Sequence, residues 1–167
     1  GNNRWNQTND LTRPTNGDSL YTIADGSWDN GNGTWSVYKV TATLTFDNKA
    51  KRTTFSTTQQ VWEENGIKLT NDKAASTSAV ADYVKPIRLY ANSKVTVSAP
   101  GKITAIVFDC NSTSHATALK NSIGSTATVA VSSDKVTVTL DGTADNFVVA
   151  KLTAQVRMDA ITVTYIK

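Results

Sequence analysis

The residues best suited to chemistry are concentrated between Gln59 and Tyr90, where aromatic rings, amides and cations follow one another closely. Sugar recognition needs flat aromatic faces for the C–H side of the ring and planar polar groups for paired hydroxyls, with cations added where the sugar is acidic. This stretch supplies all three. The candidate ligand-binding residues are Trp62, Lys73, Asp82, Tyr83, Lys85, Arg88 and Tyr90, together with Arg157 further along the chain.

Different members of this set would make different contacts. The candidates for stacking on a sugar are Trp62, Tyr83 and Tyr90, and those for contacts with hydroxyls or carboxylates are Lys73, Lys85, Arg88 and Arg157. A purely structural interpretation is equally open. In that interpretation Trp62 belongs to the core, and Arg88 forms an ion pair with Asp82 within the chain.

Hydrolytic and metal-dependent catalysis have little support in the sequence. The chain has one histidine, His115, and one cysteine, so neither a serine–histidine–aspartate triad nor a histidine-based zinc site finds its partners. Cys110 ends an apolar run and is predicted to be a packed thiol. Glu63 and Glu64 are adjacent, so on a strand they point to opposite faces and do not form the carboxylate pair of a glycosidase.

A small polysaccharide lyase is the one enzyme that stays open. Lyases use a tyrosine, lysine or histidine base beside a cation that neutralises the substrate. The side chains that can supply these groups are Lys73, Tyr83, Lys85, Arg88 and Arg157. The length of 167 residues counts against this alternative, because a jelly-roll lyase needs longer loops to build its cleft.

Composition favours an all-β protein whose partner is neither nucleic acid nor membrane. Charged residues make up only 19%, and Thr, Ser and Asn take their place. Thr with Val suits a pleated, half-buried surface. The net charge of +3 is a mild excess without the dense Lys/Arg stripe of a nucleic-acid-binding protein. No apolar run is long enough to span a membrane.

Hydrophobic periodicity predicts the elements that must position the candidate residues. From Tyr38 to Phe46 apolar and polar residues alternate, which indicates a strand with one buried face. Lys102–Cys110 is the most apolar strand and is predicted to lie centrally in a sheet. A hairpin is predicted around Ser133, and one short helix is predicted to run from His115 to Ile123. Thr113 or Ser114 would cap this helix, and Gly124 would end it.

Nine or ten short strands with one helix predict a two-sheet antiparallel β-sandwich of jelly-roll type. Residues 38–167 would form the sandwich, and residues 1–37 an N-terminal arm or linker. Packing of this arm on the sandwich is an open alternative, because it carries Trp5, Trp28 and Trp35. A structural calcium ion in the arm is an open alternative, because the arm is rich in the oxygen ligands that calcium prefers. These ligands are Asp18, Asp25, Asp29, Asn30 and Asn32. No other cofactor is expected.

The order of strand and turn residues also resembles a known type of module. The pattern comprises Gln60-Val61-Trp62, Asn65-Gly66-Ile67, Asn71-Asp72-Lys73, Ala81-Asp82-Tyr83, Arg88-Leu89-Tyr90, Pro100-Gly101-Lys102-Ile103 and Gln155-Val156-Arg157-Met158. It resembles a jelly-roll accessory module that recurs in large secreted and surface proteins of gut and rumen bacteria, often beside polysaccharide-degrading domains. The resemblance implies a carbohydrate-binding or adhesive role at or outside the cell surface, within a larger protein, and it assigns no ligand residues.

The leading functional expectation is therefore a non-catalytic carbohydrate-binding module for polysaccharide, including acidic, uronate-containing polymers. The first alternative is a structural or adhesive surface module without glycan affinity. The second is the small lyase described above.

Overall fold

Strands form where β-branched residues alternate with polar ones. The protein is described here by a computed structural model, which covers residues 19–22 and 33–167. The strands are β1 (Ser19–Thr22), β2 (Thr34–Val37), β3 (Lys39–Thr45), β4 (Arg52–Phe55), β5 (Gln59–Glu64), β6 (Ile67–Asp72), β7 (Ile87–Leu89), β8 (Lys94–Ser98), β9 (Lys102–Cys110), β10 (Thr128–Ser132), β11 (Lys135–Thr139), β12 (Asn146–Val149) and β13 (Val156–Ile166). A helix α1 spans Thr113–Ile123, and a 3-10 turn spans Lys49–Lys51.

The strands of the sandwich form two antiparallel sheets. The first sheet has the order β10-β11-β9-β13-β3, with β7 paired to the first residues of β13. The second sheet has the order β12-β8-β6-β5-β4, and β1 pairs with β2 in a separate two-stranded sheet. Strand β9 lies between β11 and β13, which confirms its predicted central position. The predicted all-β sandwich with one short helix is thus confirmed.

The core lies between the inward faces of the two sheets. Alternate residues of β9, β11 and β13 are buried, as are Leu44 of β3 and Leu69 of β6. Helix α1 contributes Ala116, Leu119 and Ile123, which share one face because they are spaced three and four residues apart. This face packs on the part of the core formed by β9, β10, β11 and β13.

The structure corrects several predicted boundaries. Helix α1 begins earlier than expected because Ser112, and not Thr113 or Ser114, accepts the capping hydrogen bond from the His115 amide. Gly124 ends it with a φ of 60°, as predicted. Strand β13 begins at Val156 and carries a bulge between Met158 and Ala160. Strands β4 and β5 were not predicted.

Part of the N-terminal predictions falls outside the described residues. This applies to Trp5 and Trp28 and to the candidate calcium ligands Asp18, Asp25, Asp29, Asn30 and Asn32. Trp35 is described: it lies on β2, half-buried, with its ring centroid 5.0 Å from that of Tyr21 on β1. The domain boundary at residue 37 stays a prediction.

Candidate functional site

Trp62 belongs to the core and not to a ligand site. Its side chain is 0% exposed, and its ring contacts Phe46 edge-on at a centroid distance of 5.5 Å. The indole N–H donates to Oε1 of the equally buried Gln60 at 3.0 Å. The expectation that Trp62 stacks on a sugar is therefore wrong, because no face of its ring reaches solvent.

Asp82 is already neutralised by two cations. Its carboxylate accepts hydrogen bonds from Lys49 Nζ at 2.8 Å and from Arg52 Nη1 at 2.7 Å. These contacts, from Lys49 first, hold the pKa of the Asp82 carboxyl below its usual range. The alternative that Asp82 pairs with Arg88 is wrong. Asp82 instead ties the loop before β7 to strand β4, next to its sequence neighbour Tyr83, and its contact with a ligand stays a prediction.

Tyr83 and Arg88 form a stacked pair at the surface. The guanidinium carbon of Arg88 lies 3.7 Å from the centroid of the Tyr83 ring, which is within cation–π distance. Tyr83 is 43% exposed, so much of its side chain is open to a ligand. The stack fixes the plane of the guanidinium and leaves its N–H donors directed around the rim of the ring.

Arg157 lies directly opposite Arg88. The two arginines are partners in the antiparallel pairing of β7 with β13, and their sequence neighbours Ile87, Leu89, Val156 and Met158 are all buried. Both arginines therefore point outward from the first sheet, with Cβ atoms about 4.5–5.5 Å apart. Within the described residues neither arginine forms an ion pair, and Nε of Arg157 is buried without a hydrogen-bond partner.

Of the remaining candidate residues, Tyr90 and Lys85 lie close to Arg88 in the chain, and Lys73 does not. Tyr90 follows β7 and is half-buried, two residues beyond Arg88 and thus on the same side of the extended chain. Lys85 is exposed in the loop between Tyr83 and β7. Lys73 follows β6, in the second sheet, where its amide donates to the Thr58 carbonyl at 2.7 Å. The structure therefore does not bring Lys73 onto the strand pair that carries Arg88 and Arg157.

Sequence reasoning missed a second cation–aromatic contact, on strand β4. The Arg52 guanidinium lies 4.0 Å from the Phe55 ring centroid, and Phe55 is 43% exposed. Strict alternation would direct these two side chains to opposite faces. A bulge between Arg52 and Thr54 changes this, since Arg52 pairs with Trp62 and Phe55 with Gln60, both buried on the same face of β5.

The residues gathered here are called the arginine–aromatic cluster below; its members are Arg52, Phe55, Tyr83, Arg88 and Arg157. Asp82 joins its two halves, because it binds Arg52 and directly precedes Tyr83. The cluster presents exposed aromatic surface next to guanidinium groups of which two have no acidic partner among the described residues. Such a surface is suited to binding an anion that carries apolar C–H groups.

We expect Asp82→Asn to loosen this loop without unfolding the protein. The variant weakens the contacts of the half-exposed Asp82 to Lys49 and to the largely buried Arg52, and the asparagine oxygen still accepts a hydrogen bond, so the cost to global stability is small. Amide hydrogen exchange at residues 81–85 should accelerate, while the free energy of unfolding changes by less than about 0.5 kcal/mol. The matched control is Asp145→Asn, at an exposed carboxylate without an ion pair among the described residues. Unchanged exchange at residues 81–85 would show that Asp82 does not position Tyr83.

The cysteine, the histidine and the two glutamates, which are candidates for catalytic groups, are buried or have partners within the protein. Cys110 is a free, buried cysteine, which confirms that it is a packed thiol, and burial raises the pKa of this thiol to about 12. His115 Nδ1 is 3.1 Å from the Gln155 carbonyl oxygen. Glu63 forms an ion pair with Lys68 at 3.3 Å, and Glu64 forms one with Lys51 at 2.9 Å. The two carboxylates thus have different partners, as expected for adjacent residues that point to opposite faces of a strand. The part of the chain that is described contains no group of three or more His, Cys, Asp or Glu that could hold a metal ion.

Comparisons of this chain with protein-family models, curated proteins and solved structures found no match. Across residues 19–22 and 33–167, no helix is both long and apolar enough to cross a membrane. Function is therefore inferred from the geometry of the arginine–aromatic cluster.

Proposed function

We propose that this protein is a non-catalytic binding module for acidic polysaccharide. The observation that carries the proposal is the pair Arg88 and Arg157, directly opposite each other and without an acidic partner among the described residues. Like charges opposite each other in a sheet destabilise the fold. An external anion that lies between the two guanidinium groups would offset this repulsion, and it is the simplest explanation for two arginines at opposite positions.

The chemistry of the pair favours a carboxylate. A guanidinium donates two parallel N–H groups that match the two oxygens of a carboxylate, which a lysine ammonium cannot do. The buried Nε of Arg157 leaves the terminal nitrogens as its donors toward solvent. A uronic acid residue offers such a carboxylate on a sugar ring, and the ring has an apolar C–H side that can lie against an aromatic residue.

The aromatic members of the arginine–aromatic cluster supply that second contact. Tyr83 is held by Arg88 and Phe55 by Arg52, and the two pairs are linked through Asp82, which binds Arg52 and directly precedes Tyr83. Both rings are 43% exposed and both are ordered by contacts within the protein. Binding therefore loses less conformational entropy than it would at free side chains. Tyr90 and Lys85 extend the same surface along the chain.

A polysaccharide ligand also fits the expected setting of the protein. Polysaccharides of this kind lie outside cells, so we propose that the module acts in the extracellular space or at a cell surface as one part of a larger protein. No nucleic-acid or membrane partner is needed. The adhesive alternative and the lyase alternative each predict a different result in the experiment that follows.

The test is affinity electrophoresis in gels that contain polygalacturonate, alginate or a neutral glucan, each at low and high salt. The protein should be retarded by the acidic polymers only, and the retardation should weaken with salt because charge pairing is screened. Arg88→Gln should lower the affinity by about ten- to a hundredfold, since it removes one bidentate contact. Gain of ultraviolet absorbance with either uronate would instead support a lyase.

Lys102→Gln is the matched control for this experiment. Lys102 is exposed at the far end of β9 and forms no ion pair among the described residues, so the variant loses the same charge away from the cluster. Its affinity should stay within about twofold of the unmodified protein, because a distant charge acts only through the screened overall field. Equal losses in both variants would contradict a localised site, and no retardation by any polymer would favour the adhesive alternative.

A further inference from the structure

A surface hollow of about 560 Å³ lies at the edge of the first sheet, away from the arginine–aromatic cluster. It is lined by Thr126, Ala127, Thr128, Thr139, Leu140 and Asp141. Strand pairing places Thr139 opposite Ala105 of β9, whereas the Arg157 carbonyl accepts a hydrogen bond from Asn111 beyond the other end of that strand. The two regions are therefore separated by about 20 Å along β9.

Asp141 provides the acceptors of this hollow. Its Oδ1 accepts hydrogen bonds from the amide of Thr143 at 3.1 Å and from the Thr143 hydroxyl at 2.7 Å. These bonds, from the hydroxyl first, lower the pKa of Asp141, so its carboxylate is ionised at neutral pH. Its Oδ2 forms no hydrogen bond within the described residues. Asp141 is thus held in one orientation with acceptor capacity unused.

Thr128 and Thr139 provide hydroxyls on the neighbouring strands. They are direct partners in the pairing of β10 with β11, and both are exposed. Neither hydroxyl has a hydrogen-bond partner in the part of the chain that is described, whereas the Thr126 hydroxyl is committed to the Ile123 carbonyl at 2.7 Å. Leu140 and Ala127 also line the hollow, and both are half-buried against the core.

We propose that this hollow binds a neutral sugar residue through the Asp141 carboxylate and the Thr128 and Thr139 hydroxyls, with Leu140 and Ala127 as apolar lining. A carboxylate accepts two hydrogen bonds at once from neighbouring hydroxyls of a pyranose, and apolar lining suits its C–H face. The volume falls within the range of small-ligand sites. An acidic sugar is disfavoured here because its carboxylate would meet that of Asp141. The site does not depend on the arginine–aromatic cluster.

The test is titration of the isotopically labelled protein with methyl glycosides of glucose, galactose, mannose and xylose, and with galacturonate, followed by amide chemical shifts. At least one neutral glycoside should shift the amides of residues 126–128 and 139–143, and galacturonate should not shift them. Thr139→Val and Asp141→Asn should each weaken the binding about tenfold or more, because each removes a hydrogen bond to the ligand. Both substitutions preserve side-chain shape.

Thr137→Val is the matched control, because Thr137 lies on the same strand and the same outward face, two residues outside the hollow. It should bind as the unmodified protein does, and so should Arg88→Gln, which separates this site from the proposed function. The proposal is overturned if no neutral glycoside shifts these amides, if galacturonate shifts them equally, or if the Thr139 and Asp141 variants bind unchanged.

Discussion

Trp62→Ala is expected to destabilise the protein by about 3–5 kcal/mol through the cavity it leaves in the core. Trp62 is fully buried against Phe46, so almost all of its side-chain volume is lost from packed surroundings. The variant also removes the donor to Gln60 Oε1. A buried acceptor without a partner costs about a further 1–3 kcal/mol. Domains of this size are stable by about 5–15 kcal/mol, so the variant should be marginally folded or unfolded at room temperature.

Urea denaturation followed by circular dichroism measures this effect. Phe55→Ala is the control, since Phe55 is a large aromatic residue that is 43% exposed and should cost much less. Trp62→Phe should remain folded and should bind acidic polysaccharide as the unmodified protein does. If Trp62→Ala were as stable as the unmodified protein, the buried position of Trp62 in the core would be contradicted.

The burial of Trp62 could not be predicted from the sequence, because strand β5 does not place its apolar residues inside and its polar residues outside. Its buried residues are Gln60 and Trp62, and Val61 between them lies on the outer side, half-exposed. A polar residue inside and an apolar one outside hide the period-two signal from which strands are predicted. Tryptophan adds to the ambiguity, because its large ring and polar N–H suit both a core and a binding surface.

The strands with a clear alternation were predicted well. Strands β3 and β11 carry apolar residues at every second position, because one side of each is covered by the core and the other faces solvent. The same alternation in β7 and β13 already directs Arg88 and Arg157 outward. That the two strands lie side by side is a long-range pairing, and no local pattern in either strand encodes its partner.

The second half of the arginine–aromatic cluster escaped prediction for a different reason. Arg52 and Phe55 share a face only because of the bulge in β4. Neither of the two residues between them is of a type that predicts a bulge. The role of Asp82 was likewise hidden, since its partners Lys49 and Arg52 lie about thirty residues earlier in the chain. Sequence therefore predicted the types of residue in the site and part of their orientation, and the fold determined which of them meet.

Arg157→Met is expected to change ligand affinity and stability in opposite directions. Methionine keeps an unbranched stem that can pack in place of the arginine stem, and it removes the charge opposite Arg88 and the buried, unpartnered Nε. Relief of like-charge repulsion in a strand pair should raise the free energy of unfolding by about 0.2–1 kcal/mol. The stack of Arg88 on Tyr83 is retained. Affinity for acidic polysaccharide should nevertheless fall at least about tenfold, because one of two carboxylate donors is lost.

Arg157→Lys separates the two effects. Lysine keeps the positive charge opposite Arg88, so stability should stay close to that of the unmodified protein, but it cannot form the bidentate contact and should bind more weakly. Urea denaturation and affinity electrophoresis on the same three proteins give both quantities. If Arg157 served only the fold, the methionine variant would be less stable than the unmodified protein, and its weaker binding would result from unfolding. Weaker binding by a more stable protein would show that Arg157 serves ligand binding at a cost to stability from its repulsion with Arg88.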